Sequence, residues 1–173
     1  MYLPTWAAAL ALLNSFAPSD QPPRIWQLLG EDGDGKTCYL SVDKAEVGAR
    51  AKLTVVDGDS PTSTVWAVQR VSGAWLWKLF VPGTNLCLRT HLATEKGRLR
   101  TVELAVCDRT LPGAADTWQL DWLDHKRTHA SFILLDDTRF RLRFKDHEIA
   151  AARHVKGWEK NFEVRKAHLP DLD

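Results

Sequence analysis

The hydrophobic and polar positions of this chain repeat one pattern three times between residues 26 and 166. Each copy opens on an aromatic residue that leads a short apolar run, and these residues are Trp26, Trp77 and Phe132. After a turn, a second apolar run carries one leucine at an equivalent position in each copy, namely Leu40, Leu88 and Leu142. The copies recur at roughly 50 residues, a spacing typical of proteins built from internal repeats.

Each copy contains signals for about four short strands and closes on a strand headed by an aromatic residue, which is Trp66, Trp118 or Phe162. The turns at 31–36, 82–85 and 136–139 are rich in Gly, Asp, Asn and Pro, which favour tight reversals. Three units are enough to close a ring but too few for a typical solenoid. The pattern therefore predicts an all-β protein, a β-trefoil of three repeats over residues 26–168.

Two sequence features resemble metal-binding motifs, but each lacks a ligand that the site would need. The turn at 31–36 alternates acids with glycines, but it lacks the bidentate Glu that a calcium loop carries at its twelfth position, so we interpret it as a solvated turn. His125 and His129 are spaced like two ligands on a helix, but they lie in a predicted loop with no third ligand near them in sequence. We therefore predict no metal site and no cofactor.

The last third of the chain is locally basic. Residues 125–166 carry 11 Lys or Arg against 6 Asp or Glu. Arg139, Arg141, Arg143 and Lys145 alternate with apolar residues, a pattern typical of a half-buried strand with a solvated outer face. The basic face is either simply solvated or a surface for an anionic partner.

The first 25 residues lie outside the repeats and form a separate segment. An apolar run at 6–13 is followed by a Pro-rich linker at 18–23. The run is too short to span a bilayer. It fits either a secretory signal cleaved after Ala17 or a short helix that packs on the trefoil or docks a protein partner.

Composition agrees with one compact domain that forms its own core, because 45% of the residues are hydrophobic and 26% are charged. A net charge of +1 argues against nucleic acid as a partner. In a trefoil unit the strand carrying Cys87 and the strand ending at Cys107 are neighbours, so a disulfide between them is geometrically reasonable in an oxidising compartment. Cys38 is then unpaired, and we interpret it as a small buried hydrophobic residue.

The eight tryptophans divide by position. Those at repeat-equivalent strand positions are expected in the core, and they are Trp26, Trp66, Trp77 and Trp118. Trp75 is expected to be at least half covered, because it shares a face with Trp77 if their strand is regular. Trp158 lies in a loop outside the repeat positions, where an exposed indole could stack on a sugar or anchor a protein.

The residues around the second repeat resemble a known family. Leu86-Cys-Leu, then Cys107, then the strand of Trp118 is similar to a unit of the ricin B-type lectin superfamily, whose repeats run Cys-Leu, Cys and Gln-x-Trp. The stretch at 66–77, followed by 85–88, also resembles the ricin-like targeting subunits of cytolethal distending toxins. The resemblance covers about residues 26–166 and implies a β-trefoil that binds glycans or glycoproteins.

The sugar-binding positions of that family are altered here. In sugar-binding ricin repeats a carboxylate follows Cys-Leu, and this chain has Ser41, Arg89 or Arg143 there. At the position of the Gln in the Gln-x-Trp motif it has Thr64, Asp116 or Lys160. Galactose recognition at the usual pockets therefore does not carry over.

Two replacements remain as candidate ligand contacts. Asp43 lies two residues late in the first repeat and could substitute for the missing carboxylate if the backbone shifts. Arg89, His91 and Asp116 could meet in the second repeat, where the Arg fork would favour an acidic ligand such as a sialic acid. The alternative there is a surface ion pair between Arg89 and Asp116 with no ligand.

The sequence contains no nucleophile elbow, no phosphate-binding glycine loop and no isolated pair of carboxylates, so we predict that the protein is not an enzyme. Three hypotheses follow. The first is a secreted carbohydrate-binding or cell-targeting module, such as one subunit of a multi-chain toxin, with residues 1–25 docking a protein partner. The second is a protein-binding trefoil such as a protease inhibitor, and the third is a structural subunit of an assembly.

Overall fold

The structure is a computed structural model that describes residues 24–55, 64–72, 75–91 and 98–167. The predicted N-terminal segment at 1–25, with its signal or docking role, lies almost entirely outside these residues. The described residues form twelve strands: β1 (Arg24–Glu31), β2 (Thr37–Ser41), β3 (Lys52–Thr54), β4 (Trp66–Ser72), β5 (Leu76–Phe80), β6 (Leu86–Thr90), β7 (Leu99–Val106), β8 (Trp118–Trp122), β9 (His129–Leu134), β10 (Arg141–Lys145), β11 (Glu148–Ala152) and β12 (Phe162–Lys166).

Six of these strands close a barrel. The antiparallel pairs run from β1 to β4, β5, β8, β9 and β12, and β12 pairs back with β1. The ring therefore consists of the first and the fourth strand of every repeat. A closed ring leaves no free sheet edge, so each repeat depends on the other two.

The second and third strands of every repeat form the hairpins β2–β3, β6–β7 and β10–β11. The three hairpins meet because β11 pairs with both β7 and β3. We call this the hairpin cap, and the opposite end of the barrel, where β1 begins and β8 connects to β9, the barrel mouth. The fold is a β-trefoil, as the sequence predicts.

The core confirms the repeat positions read from the sequence. Leu40, Leu88 and Leu142 each have 0% of their surface exposed. Trp66 and Trp118 are also fully buried, whereas Trp77 is partly buried against the core. Fully burying a large apolar side chain contributes roughly 1.5 to 3 kcal/mol, so these equivalent positions stabilise the fold from all three repeats.

Two close approaches explain local residue choices in this core. Trp66 Nε1 donates a hydrogen bond to the carbonyl oxygen of Leu40 over 3.0 Å, which satisfies the buried indole. A Cβ atom at Gly30 would lie 2.8 Å from the ring of Phe144. A side chain at this position would therefore force the buried Phe144 ring to move, because β1 and the third hairpin approach each other closely.

The predicted disulfide is confirmed. Cys87 in β6 and Cys107 directly after β7 are bonded, with their Cα atoms 5.8 Å apart. Cys38 is a free thiol with 0% exposure, as expected for a small buried residue. The turn after β1 is held by its own hydrogen bonds, since Asp32 Oδ1 accepts from the amides of Asp34 and Lys36, each over 2.9 Å.

Two expectations are wrong. Trp75 precedes β5 rather than belonging to it, and 61% of its surface is exposed. Arg143 was expected on a solvated face, yet it is only 5% exposed. Its Nε donates to the carbonyl oxygen of Ala152 in the neighbouring strand over 3.0 Å, and burial lowers the pKa of its guanidinium. No helix in the described residues is long and apolar enough to cross a membrane.

Candidate functional site

An open cleft of about 860 Å³ lies on the hairpin cap. Its floor is made where the third strands of the three repeats meet, with Glu148 beside Lys52 and Ala150 beside Thr101 in register. Residues 48–51 continue this floor, because Ala51 donates to the carbonyl of Val102 over 3.0 Å. The cleft therefore exists only when all three repeats have assembled.

The cleft joins two of the residues predicted as ligand contacts. Asp43 comes from the first repeat and Trp158 from the third, and both line it. The carboxylate of Asp43 is mostly exposed and lies 2.5 Å from Lys52 Nζ. Trp158 is partly exposed, and its turn is set by its amide, which donates to Val155 over 3.2 Å, and by Gly157 with a φ of 86°.

The remaining lining mixes donors, acceptors and apolar surface. Sequence reasoning identified none of the other lining residues, among them Lys52, Leu99 and Glu148, because their place depends on how the hairpins meet. The lining contains both acidic and basic side chains, together with small buried residues such as Ala51 and Ala150. Such a lining can accept and donate hydrogen bonds to a neutral polyhydroxy ligand while the indole covers an apolar ring face.

The three residues predicted to meet in the second repeat do not form one set. The carboxylate of Asp116 lies 3.3 Å from the Nζ of Lys78, not in an ion pair with Arg89. His91 Nε2 lies 2.6 Å from Glu103 Oε1. Arg89 is exposed on β6 with Glu103 as its cross-strand neighbour. The predicted Arg89–Asp116 ion pair is therefore wrong, since Asp116 turns inward to a buried lysine.

A second cavity of about 400 Å³ lies at the barrel mouth. Three indoles meet beside it, with ring centres 6.1 Å apart for Trp26 and Trp77 and 5.6 Å apart for Trp26 and Trp122. The guanidinium of Arg24 lies over the ring of Trp77, 5.5 Å from its centre. These rings explain how Trp122 is covered, although its position is outside the repeat pattern.

Four cations line this second cavity: Arg24, Lys126, Arg127 and Lys166. The turn that carries two of them is held by Asp124, whose carboxylate accepts bonds from the hydroxyl and amide of Thr128. The hydroxyl bond is the main reason why the pKa of the Asp124 carboxyl is lowered. Three of the four cations belong to the basic stretch at 125–166, but the alternating residues Arg139, Arg141, Arg143 and Lys145 do not line this cavity.

Comparison with solved structures agrees with the fold. The chain is similar to a designed threefold-symmetric protein, ThreeFoil, at 14% identity and a TM-score of 0.61, covering 82% of this chain and 99% of that one. It is similar to the Haemophilus ducreyi cytolethal distending toxin at 9% identity and a TM-score of 0.62, covering 100% of this chain and 92% of the other. A third similar structure is the Polyporus squamosus lectin bound to the human-type influenza-binding epitope Neu5Acα2-6Galβ1-4GlcNAc, at 11% identity and a TM-score of 0.61, covering 86% of this chain and 50% of the lectin.

Another similar structure, a mosquitocidal holotoxin, is much larger, and this chain spans only 17% of it. No family model and no curated protein matches the sequence. At these identities the similarity shows the β-trefoil fold alone.

Proposed function

We propose that this protein is a non-catalytic carbohydrate-binding module that acts outside the cell. The observation that carries the proposal is the cap cleft, where Asp43 and Trp158 from different repeats face one ligand-sized space. One structure of similar fold, the Polyporus squamosus lectin, is bound to a glycan. The disulfide between Cys87 and Cys107 supports an oxidising compartment.

Four residues of the cleft have a role in this proposal. Asp43 accepts hydrogen bonds from two adjacent sugar hydroxyls, and Lys52 keeps its carboxylate oriented at 2.5 Å. Trp158 stacks on the apolar face of the same ring. Glu148, whose strand neighbour is Lys52, supplies a further hydrogen-bond acceptor.

We further propose that the module delivers a partner chain to a cell surface, as one subunit of a multi-chain toxin. Similarity to the fold of the Haemophilus ducreyi cytolethal distending toxin supports this finer reading. Copurification of full-length protein with a stable partner, lost on deletion of residues 1–25, would support it. Recovery of the same partner with the deleted chain would contradict docking through this segment.

The test of sugar binding is a glycan array that includes neutral and sialylated glycans, followed by calorimetry with the strongest ligand. We expect Trp158→Ala and Asp43→Asn each to weaken binding roughly tenfold or more, because each removes about 1.4 kcal/mol or more of contact. Leu111→Ala is the matched control, since Leu111 is exposed and away from the cleft. Binding unchanged in both cleft variants, or no binding across the array, would overturn the proposal.

A second pair of variants separates the two cavities. Arg127→Ala and Lys166→Ala remove charge from the barrel mouth and leave the cap cleft intact. We expect the affinity of the array ligand to change less than twofold in both. A loss that appears only in these variants would move the sugar site to the barrel mouth and contradict the cap cleft.

A further inference from the structure

Three side chains of different chemistry converge beside the first and third hairpins. They are Asp32 in the turn after β1, Cys38 in β2 and His147 between β10 and β11. One ligand atom from each lies within 4.8 Å of the others. Cys38 Sγ is 4.0 Å from His147 Nδ1, and His147 Nε2 is 3.8 Å from Asp32 Oδ2.

Each of these side chains is already oriented by the fold. Asp32 Oδ1 accepts two backbone amides of its own turn, which leaves Oδ2 directed at His147. His147 Nδ1 lies 3.2 Å from the carbonyl oxygen of Leu53. With its proton on Nδ1, the imidazole donates to that carbonyl and presents the lone pair of Nε2 toward Asp32. A backbone carbonyl that holds the second ring nitrogen is typical of a metal-bound histidine.

We propose that Asp32, Cys38 and His147 bind a Zn²⁺ ion, with water as the fourth ligand. A thiolate, an imidazole and a carboxylate are the three donors that zinc prefers. Zinc bonds of about 2.0 to 2.3 Å bring ligand atoms closer than the present separations. His147 can supply this movement, because 57% of its side chain is exposed, whereas only 6% of the Asp32 side chain is.

Zinc binding must release a proton at this site. Burial is the main cause that raises the pKa of the Cys38 thiol, with the negative charge of Asp32 adding to it. Because zinc binds the thiolate, the S–Zn bond forms as the Cys38 thiol loses its proton. The ion would join the first repeat to the third across the hairpin cap.

An alternative without metal is an ion pair between protonated His147 and Asp32, with Cys38 as a buried thiol. The absorption spectrum of bound Co²⁺ distinguishes the metal site from this ion pair. We expect Co²⁺, titrated into the full-length protein with its disulfide intact, to give a thiolate charge-transfer band in the near ultraviolet and tetrahedral bands in the visible. Both should saturate at one equivalent and disappear on addition of Zn²⁺. Absence of a thiolate band would overturn the proposal.

Variants assign the ligands. We expect His147→Asn to abolish the cobalt spectrum while the protein stays folded, because the side chain is largely exposed. His129→Asn is the matched control, since His129 is an exposed histidine of the same repeat outside the cluster. A cobalt spectrum retained in His147→Asn would contradict the site.

Thermal unfolding gives an independent readout. Zn²⁺ at a hundredfold excess over its dissociation constant should raise the Tm of the wild type by about 5 to 11 °C, and that of His147→Asn by less than about 1 °C. An equal rise in both proteins would overturn the proposal. This inference does not rest on the proposed sugar binding, because glycan affinity is measured separately.

Discussion

Lys78 is a buried lysine, although lysine side chains almost always lie at the protein surface. It lies in the barrel strand β5, and only 1% of its side chain is exposed. Its ammonium donates to the carbonyl oxygen of Asp108 over 2.7 Å and lies 3.3 Å from the carboxylate of Asp116. A buried charge of this kind is tolerated only with a partner and hydrogen bonds. Asp116 is therefore the counter-charge of Lys78.

We predict that Asp116→Ala lowers the free energy of unfolding by about 3 kcal/mol, because it leaves the buried Lys78 ammonium without its counter-charge. Urea unfolding followed by tryptophan fluorescence measures the change. Asp121→Ala removes a half-exposed carboxylate from a surface pair and should cost less than about 1 kcal/mol. Equal costs for the two variants would contradict the role given to Asp116.

Sequence reasoning succeeds for residues whose environment follows from alternation and fails for long side chains. Leu40 and Cys38 are buried as their positions predict. Arg143 is misjudged because its side chain reaches across to a backbone carbonyl of the next strand. Trp75 is misjudged because the strand begins one residue later than the regular pattern assumes.

At the scale of elements, the turns are held by aspartates that bind the backbone. Asp124 closes the connection between β8 and β9 by accepting bonds from Thr128 and from the amide of His129. This turn also contains Arg127 with a φ of 57°, a backbone conformation that residues other than glycine rarely adopt. The turn therefore depends on the carboxylate being ionised.

We predict that this ionisation makes the fold sensitive to acid. The Thr128 hydrogen bond keeps the pKa of Asp124 lower in the folded chain than in the unfolded chain. Its stabilisation is therefore fully present above the ordinary Asp pKa of about 4, and is lost as the pH falls through the folded value.

Thermal unfolding between pH 7 and pH 2 tests this. Asp124→Asn should have a lower Tm than the wild type at pH 7, and the difference should narrow below pH 4. Thr128→Val, which removes the hydroxyl donor, should also lower the Tm at pH 7, and its difference from the wild type should also narrow below pH 4. Parallel curves for the wild type and Asp124→Asn at every pH would contradict the prediction.

At the scale of the whole molecule, the three repeats stabilise one another. The barrel closes only through the pairs of β12 with β1 and with β9, so the third repeat completes the ring. The repeat pattern predicted this architecture, since the buried positions are set by local alternation. The cap cleft was not predictable as a site, because its lining comes from hairpins that meet only in the folded chain.

We predict that the fragment 24–116, which lacks β8 and the whole third repeat, shows no cooperative unfolding transition. The seven remaining strands leave the apolar faces of β1 and β5 without their barrel partners β12 and β8. Far-ultraviolet circular dichroism on heating measures this, with the full chain as the control. A sigmoidal melt of the fragment would show that the repeats are independent.

The proposed cluster of Asp32, Cys38 and His147 depends on the same closure. This cluster cannot be identified from the sequence, because Cys38 and His147 are 109 residues apart and neither lies in a recognisable ligand motif. Only the assembled cap brings the first hairpin beside the third.

The most direct test of sugar binding is a crystal structure of the full chain with the glycan that binds most strongly on the array. We predict a sugar ring in the cap cleft, with its apolar face on Trp158 and two hydroxyls on the Asp43 carboxylate. A sugar bound at the barrel mouth beside Trp122, with the cap cleft filled only by water, would contradict the proposal.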